Sequence, residues 1–591
     1  MSPAGRPNPR RKRVRSRLDV RRALALVAVL ILATGGAVAD PSRHPSAAAS
    51  VIRVGSSVVG SDGVRHSVTN HLVRTRTRTN RHTRREYVLA WAGAADPGTE
   101  GSPNPDFLAV IDATAGTPDY GKVVNTVTID DSTGNEPHHM QYMWHKGQKI
   151  YAGGILSDTV FVFDATRLPQ IGLSGVVQAS DTPCGSAPDA FQVLSDGTAY
   201  MSAVGGPDVT GPCRYSGGQV REGNGFAGSP GEIVRIGPNG KVLSEAPAAT
   251  KEGEDPKLCP NVPALPQPSC ANPHGLQVRE DLNRLITSDF VELRTPIVDN
   301  PNLARDTVRI FDISDRNAPR LLSVSRLPAG PRHDADLNTA EPRGAMETGV
   351  THQPRHRGAF VATSGGGVIY YTPDITAKKP RWREVCDDAT AFKALFPKDA
   401  PTSDGDAGSW VQVSPDDRFL FHVVVSGGYT SPGERETGML YVLDLRRLLA
   451  AGDRTRCSID SPAEVTAGGA EPDCPSLIGA VPIRDVTSGG AHWGSLDNFA
   501  LGRDGFYHET AQIRRVVTSN YFVAFTGVDG NHQICVSQVS PSGKPSLDTG
   551  FVDENTHAPC VEFNRDKWPH GDHGPARPHG VVFAVADADL R

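Results

Sequence analysis

The chain has no Cys-x-x-Cys pair, no His-Glu-x-x-His, no convincing Gly-x-Ser-x-Gly elbow, no Walker loop and no Gly-x-Gly-x-x-Gly in a strand–helix setting. Zinc ribbons, thioredoxin-like redox sites, hydrolase triads and nucleotide enzymes lose their usual signatures with them. Charge is scarce, at 21% of 591 residues, and methionine is rarer still, with 6. A chain 38% apolar with so little charge is not disordered. With 61 Gly and 47 Pro it is no helical bundle either. The clearest helical stretches are 389–396 and 445–451. Long apolar runs are missing as well. Ala23–Ala33 is short for a membrane span of about 20 residues, so no membrane contact is expected beyond the N-terminal segment.

That segment reads as an export signal, residues 1–39. Arg10, Arg11, Lys12, Arg13, Arg15, Arg17, Arg21 and Arg22 precede the apolar run, and small residues lead to a cut after Ala39; an uncleaved anchor is the alternative. Residues 40–86, rich in Ser, Thr and Arg, read as a flexible basic linker. The body, 87–591, holds 43 basic and 62 acidic residues, which argues against nucleic acid as a partner. A secreted, periplasmic or cell-envelope location follows, and the cysteines agree. Eight of nine sort into neighbours bracketing Gly/Pro-rich loops: Cys184/Cys213, Cys259/Cys270, Cys457/Cys474 and Cys535/Cys560. Cys386 is left over and reads as a buried, inert thiol.

What fills the body is short strands. Phe107-Leu-Ala-Val-Ile111, Thr159-Val-Phe-Val-Phe163, Glu232-Ile-Val-Arg-Ile236, Thr307-Val-Arg-Ile-Phe311, Val368-Ile-Tyr-Tyr371 and Met439-Leu-Tyr-Val-Leu443 recur between turns, several ending in Asp. A second pattern alternates with them: a small residue or His, a strand, a tight turn, a second strand. It starts at 139, 189, 274, 352, 410, 492 and 579. Seven copies of a four-stranded sheet describe an all-β fold, a seven-bladed β-propeller with long loop insertions, such as 205–230 and 245–270, on its rims.

His139, His274, His352, His492 and His579 fall at the same place in the repeat, the start of the proposed inner strand. In a propeller they converge on one channel mouth. Convergent neutral imidazoles suit copper or zinc. Glu347, before His352, and Glu136, before the His138-His139 pair, are candidate supporting acids. His570 and His573 are candidates for extra rim ligands.

The stretches Asn104-Pro-Asp-Phe-Leu-Ala-Val-Ile-Asp112, Thr117-Pro-Asp-Tyr-Gly-Lys-Val-Val124 and Glu136-Pro-His-His139 resemble the start of the selenium-binding protein / methanethiol oxidase family. Glu347-Thr-Gly-Val-Thr-His352, Ser414-Pro-Asp-Asp-Arg-Phe-Leu-Phe421 and Gly574-Pro-Ala-Arg-Pro-His579 resemble later elements of it, in order, across most of 87–580. The resemblance implies a seven-bladed propeller and a copper-dependent oxidase. Such an enzyme takes a small thiol, methanethiol, with O₂ and water to formaldehyde, H₂S and H₂O₂. Carried over by position, His138, His139, His352 and His579 match family histidines, and Glu347 matches a family acid, so Glu347 and His352 are the catalytic candidates. His274 and His492 join the metal set on the repeat alone. The family's cysteine-bearing insert after the His pair is absent, its Gly-Gly-Asp-Cys ending is replaced by Ala584-Val-Ala-Asp-Ala-Asp, and Cys184–Asp189 lacks its Cys/His character. The alternatives are a binding or scaffold propeller without catalysis and a propeller lactonase, which would want a carboxylate-rich calcium site.

Overall fold

The computed structural model describes residues 51–75 and 84–591, less 97, 100–101, 130–133, 208–209, 250–268, 295–303, 329–332, 335–338, 341–343, 396–407, 426–436, 458–472, 485–490 and 524–528. The signal segment 1–39 and Cys259 lie outside the described residues. Among the described residues no helix is long and apolar enough to cross a membrane, and the two α-helices, Asp388–Leu395 and Arg446–Ala451, fall where the sequence puts them.

Seven antiparallel sheets make the seven blades of a β-propeller. Their innermost strands are Pro137–Met140, Ser186–Val193, Pro273–Arg279, Ala345–Val350, Gly408–Val413, Ala491–Leu496 and Ala576–Val585, for blades 1 to 7 in that order. Each blade is covered by others on both faces, so its middle strands need no polar side. Phe107–Asp112 and Val123–Ile129, for instance, are buried at every position, which explains why the sequence shows apolar runs rather than alternation. Several strands end in Asp for a local reason. The carboxylates of Asp112, Asp164, Asp312 and Asp444, and of Asp374 two residues past Val368–Thr372, each accept the backbone N–H two residues on, an Asx turn that starts the return.

Blade 7 is built from both parts of the chain. The C-terminal strand Ala576–Val585 is its inner strand and pairs with Glu86–Ala94, closing the ring without an open edge. The same sheet continues outward through Phe107–Asp112, Val123–Ile129, Arg65–Val73 and Val51–Val59. This corrects the reading of 40–86 as linker. Residues 51–73 form a hairpin, Val51 to Val59 against Arg65 to Val73, whose inner strand pairs with Val123–Ile129. Asn70, fully buried there, donates to the Ile171 carbonyl of blade 1 at 2.8 Å and accepts from the Ile171 N–H at 2.8 Å. Arginine content hid a segment whose Val, Ile and Thr residues favour strand.

Cys184–Cys213, Cys457–Cys474 and Cys535–Cys560 are disulfides. Cys270 is also disulfide-bonded, and Cys386 is a free, partly buried thiol that burial pushes well above the ordinary thiol range. Three such bridges belong to proteins of oxidising compartments outside the cytosol.

Candidate metal centre

Each inner strand carries one residue too many at the same place. Against its neighbour, the register slips between Pro137 and Met140, Pro188 and Phe191, Pro273 and Leu276, Ala345 and Glu347, Gly408 and Val411, Ala491 and Trp493, and Pro578 and Val581. These are seven β-bulges. A bulge sets two residues against one and re-aims their side chains. A regular strand would send His138 and His139 to opposite faces; in the bulge both are buried at the axis, their rings stacked with centroids 4.1 Å apart. The other bulges supply Asp189, His274, Glu347, Ser409, His492 and His579, all buried. The carbonyls that the bulges free find partners one blade back. Ser202 donates to the His274 carbonyl and Ser288 to that of Met346, both at 2.6 Å, and Ser519 donates to that of His579.

The result is a ring of imidazoles with an acidic arm. One potential ligand atom from each of His138, His139, His492 and His579 lies within 4.8 Å of the others; the same holds for His138, His139, Asp189 and His274. His138 stands 4.0 Å from His579 ring to ring, and both nitrogens of each of these two rings are buried without a hydrogen-bond partner. His139 Nδ1 is paired with Asp189 Oδ1, which leaves its Nε2 bare. That Nε2 faces His492 Nε2 at 2.8 Å. Ser409 Oγ can only donate to the His492 carbonyl at 2.8 Å, so it accepts from His492 Nδ1 at 2.6 Å. His492 Nε2 is therefore bare as well. Two lone pairs that face each other are relieved by a cation between or beside them. Trp493, stacked on His139 at 3.9 Å, holds that ring in place.

The arm runs the other way. His274 reaches Asp189 Oδ2 with Nε2 at 3.2 Å and Glu347 Oε1 with Nδ1 at 2.8 Å. Tyr142 donates its hydroxyl to Glu347 Oε2 at 2.5 Å and accepts from the Leu276 N–H at 3.2 Å. Burial, reinforced by neighbouring imidazoles, holds His138, His139, His492 and His579 well below the ordinary histidine range, so they are neutral donors. Burial pushes Asp189 up to about 7, with His274 opposing and Glu347 adding to the rise. Burial works against charge on His274, but Asp189 and Glu347 outweigh it and leave its pKa raised. Burial and then Glu347 hold the Tyr142 phenol well above its ordinary range. A cavity of about 30 Å³ touches His138, Asp189, His274 and His492 and is otherwise walled by apolar side chains such as Phe290, Met346 and Phe522.

Of the residues expected from sequence, His138, His139, His274, His492 and His579 meet, and Glu347 adjoins them. His352 does not. It lies past the end of Ala345–Val350, five residues beyond Glu347, a strand distance of roughly 16 Å. Its N–H bonds to Asp417 Oδ1 at 2.5 Å and its Nε2 approaches the Val413 carbonyl at 3.1 Å. The register explains the error: in blade 4 the position held by histidine in blades 1, 3, 6 and 7 is held by Glu347. Glu136 acts at one remove, accepting from Tyr521, whose ring lies 5.5 Å from that of His579. His570 and His573 sit apart, near His71, with His570 packed on Phe107 and hydrogen-bonded to Thr126. Asp189, Ser409 and Tyr142 escaped the sequence reading. Asp189 was visible in principle, as the residue that opens its copy of the repeat.

No protein-family model and no curated protein matches the chain. Among solved structures, a hypothetical selenium-binding protein from Sulfolobus tokodaii superposes with a TM-score of 0.52 at 15% identity, over 85% of this chain and 94% of that one. A periplasmic gluconolactonase from Pseudomonas aeruginosa gives 0.44 at 13% identity, over 85% and 99%. The β-propeller domain of Cps50 (Swd1) from Myceliophteria thermophila gives 0.34 at 11% identity, over 73% and 90%. At these identities the likeness speaks for the fold alone.

Proposed function

We propose that this protein is an exported copper-dependent oxidase of small thiols, similar to methanethiol oxidase. The observation that carries the reading is the set of bare, buried imidazole nitrogens gathered within 4.8 Å, His138 and His579 above all. Unpartnered buried polar atoms cost about 1–3 kcal/mol each, and a metal ion is the partner that neutral imidazoles lack. An imidazole set suits copper or zinc rather than calcium, which takes oxygen ligands. Zinc has no redox chemistry, so copper fits an oxidase. Copper, when bound, supplies one-electron chemistry and a soft site for a thiolate.

The chain's own groups then have these tasks. His138, His139, His492 and His579 hold the ion, and Ser409 and Asp189 fix the tautomers of two of them. Asp189, which lines the cavity, takes the thiol proton. His274 relays that proton to Glu347, whose other oxygen is held in place by the Tyr142 hydroxyl. Phe290, Met346 and Phe522 exclude bulk water and leave room only for small apolar groups. The overall conversion balances as CH₃SH + O₂ + H₂O giving HCHO + H₂S + H₂O₂. Glu347 keeps the role of proton carrier, and His352 has no part in it. The test is metal analysis of the exported protein together with thiol-dependent O₂ uptake and H₂O₂ release. Copper bound in a fixed ratio, with uptake that needs it, supports the reading; protein free of transition metal overturns it.

A further inference from the structure

At the opposite end of the channel a cavity of about 720 Å³ opens among blades 5, 6 and 7, a size that suits a small organic molecule. Asp497 marks the separation from the histidine ring: it follows His492 by five residues along one inner strand, roughly 16 Å. The floor carries no net charge. Arg515 bonds Asp497 Oδ2 through Nε at 2.8 Å, pairs with Glu86 Oε2 through Nη2 and donates through Nη1 to the Ala113 carbonyl at 2.8 Å. Burial, opposed by Arg515 and reinforced by Asp497, holds the Glu86 carboxyl well above its ordinary range, so Glu86 is neutral beside the Arg515–Asp497 pair. Charge selection falls to the rim.

The rim is basic. Arg418, Arg514 and Lys544 line the cavity against a single further acid, Asp416. Asp416 Oδ1 is occupied, accepting from Ser414 Oγ at 2.6 Å and from the Arg418 N–H at 3.1 Å. The three cations come from segments that pack on one another. The Arg418 guanidinium lies 4.6 Å over the Phe419 ring. Gly543, at φ +90°, presses on the same ring so closely that a Cβ there would meet it at 2.5 Å, which brings Lys544 alongside. The Lys544 N–H donates to Ser540 Oγ at 3.0 Å, and the Arg514 carbonyl accepts from the Val539 N–H at 2.7 Å. Among the described residues none of these three side chains has an acidic partner, whereas Arg515 has two. In a body with 43 basic and 62 acidic residues, three unpaired cations at one opening reverse the local sign and draw anions.

The walls are apolar. Phe419, Phe499 and Ile513 are buried, and Leu501 remains 58% exposed. Exposed cations beside apolar wall suit a molecule with an anionic head and an apolar body, and the planar fork of an arginine matches a carboxylate.

We propose that this cavity binds an amphiphilic carboxylate, its head at Arg418, Arg514 and Lys544 and its chain along Phe419, Phe499, Ile513 and Leu501. The site shares no residue with the histidine ring and is independent of the oxidase reading.

The experiment is calorimetric titration of the full protein with decanoate, butyrate and decyltrimethylammonium, each below its micelle threshold. Decanoate binds. Butyrate keeps the head but lacks six methylenes, and binds roughly 100-fold more weakly or worse. Decyltrimethylammonium keeps the chain but reverses the charge, and binds about tenfold more weakly. Replacing both exposed cations, Arg514→Glu with Lys544→Glu, weakens decanoate about tenfold and abolishes the preference for it over decyltrimethylammonium. Failure of decanoate to bind, butyrate or decyltrimethylammonium binding as tightly as decanoate, or the double variant binding decanoate as the unaltered protein does, overturns the proposal. Should the double variant not fold, the contrast among the three ligands on the unaltered protein decides alone.

Discussion

The inner strands differ at their two ends. At one end each strand is bulged, and the bulge aims an imidazole, a carboxylate or a hydroxyl at the axis and leaves several of these atoms without partners. At the other end the pairing is regular, and the histidine there is held in a local network, His352 with Asp417, as is Arg515 with Asp497. Sequence supplies a histidine at both ends; only the bulged end leaves histidine nitrogens bare. Backbone irregularity, repeated seven times, is what makes a centre out of scattered histidines.

That contrast can be broken by substitution. The largest expected effect comes from His138→Ala and His579→Ala, each of which removes a ligand: bound metal and thiol-dependent O₂ uptake are lost while circular dichroism stays that of a β protein. His352→Ala, at the other end, keeps its metal. Elemental analysis of the three proteins side by side checks the pair of claims, and loss of metal in His352→Ala would contradict them. Next come the groups that set tautomers. Asp189→Asn and Ser409→Ala are expected to lower metal affinity about 10–100-fold, read by competition with a chelator.

Acid sharpens the comparison further. Imidazoles titrate near 6.5 when unfolded, and burial places those of the ring well below this. Below about 6.5 the unfolded chain then carries more protons than the folded one. The metal-free protein loses stability as pH falls through that range and regains it as pH rises, by up to about 1.4 kcal/mol per unit for each imidazole. Denaturant unfolding of the metal-free protein across the range measures the slope. His570, lowered to about 2 by burial and then by His573 and His71, adds one group's share, so His570→Gln should flatten the slope by that share and leave metal binding alone. The smallest effect belongs to the bulges themselves. Ser202→Ala strands the His274 carbonyl and is expected to cost about 1–3 kcal/mol, seen as a lower unfolding midpoint with metal still bound.

Much of this was legible before any coordinates. The seven-fold repeat, six of its seven inner-strand starts and helices close to 389–396 and 445–451 follow from residue order, because a blade needs the same strands each time; the start placed at 352 falls past Ala345–Val350. Five of the six histidines singled out lie together at the axis. The losses have physical causes. Histidine is a conspicuous letter, so His352 drew attention that belonged to Glu347, which occupies the ring position in blade 4. Asp189 and Ser409 are ordinary residues whose importance depends on a bulge that no single sequence displays. The hairpin at 51–73 was masked by the arginines of the stretch that follows it, 74–85. Glu86, at the edge of the supposed linker, gave no hint of its burial, since its partners Asp497 and Arg515 lie some four hundred residues away.

The closure of blade 7 has a consequence for assembly. The ring residue His579 rides on the strand Ala576–Val585, which docks against Glu86–Ala94 and presses Gly580 so close to blade 1 that a Cβ there would meet the His138 carbonyl at 2.8 Å. A nascent polypeptide therefore owns no finished quartet until that final ribbon has slotted home. Under the proposed function, loading of an ion would certify that the circle is shut, and a seated ion would stitch its two ends together.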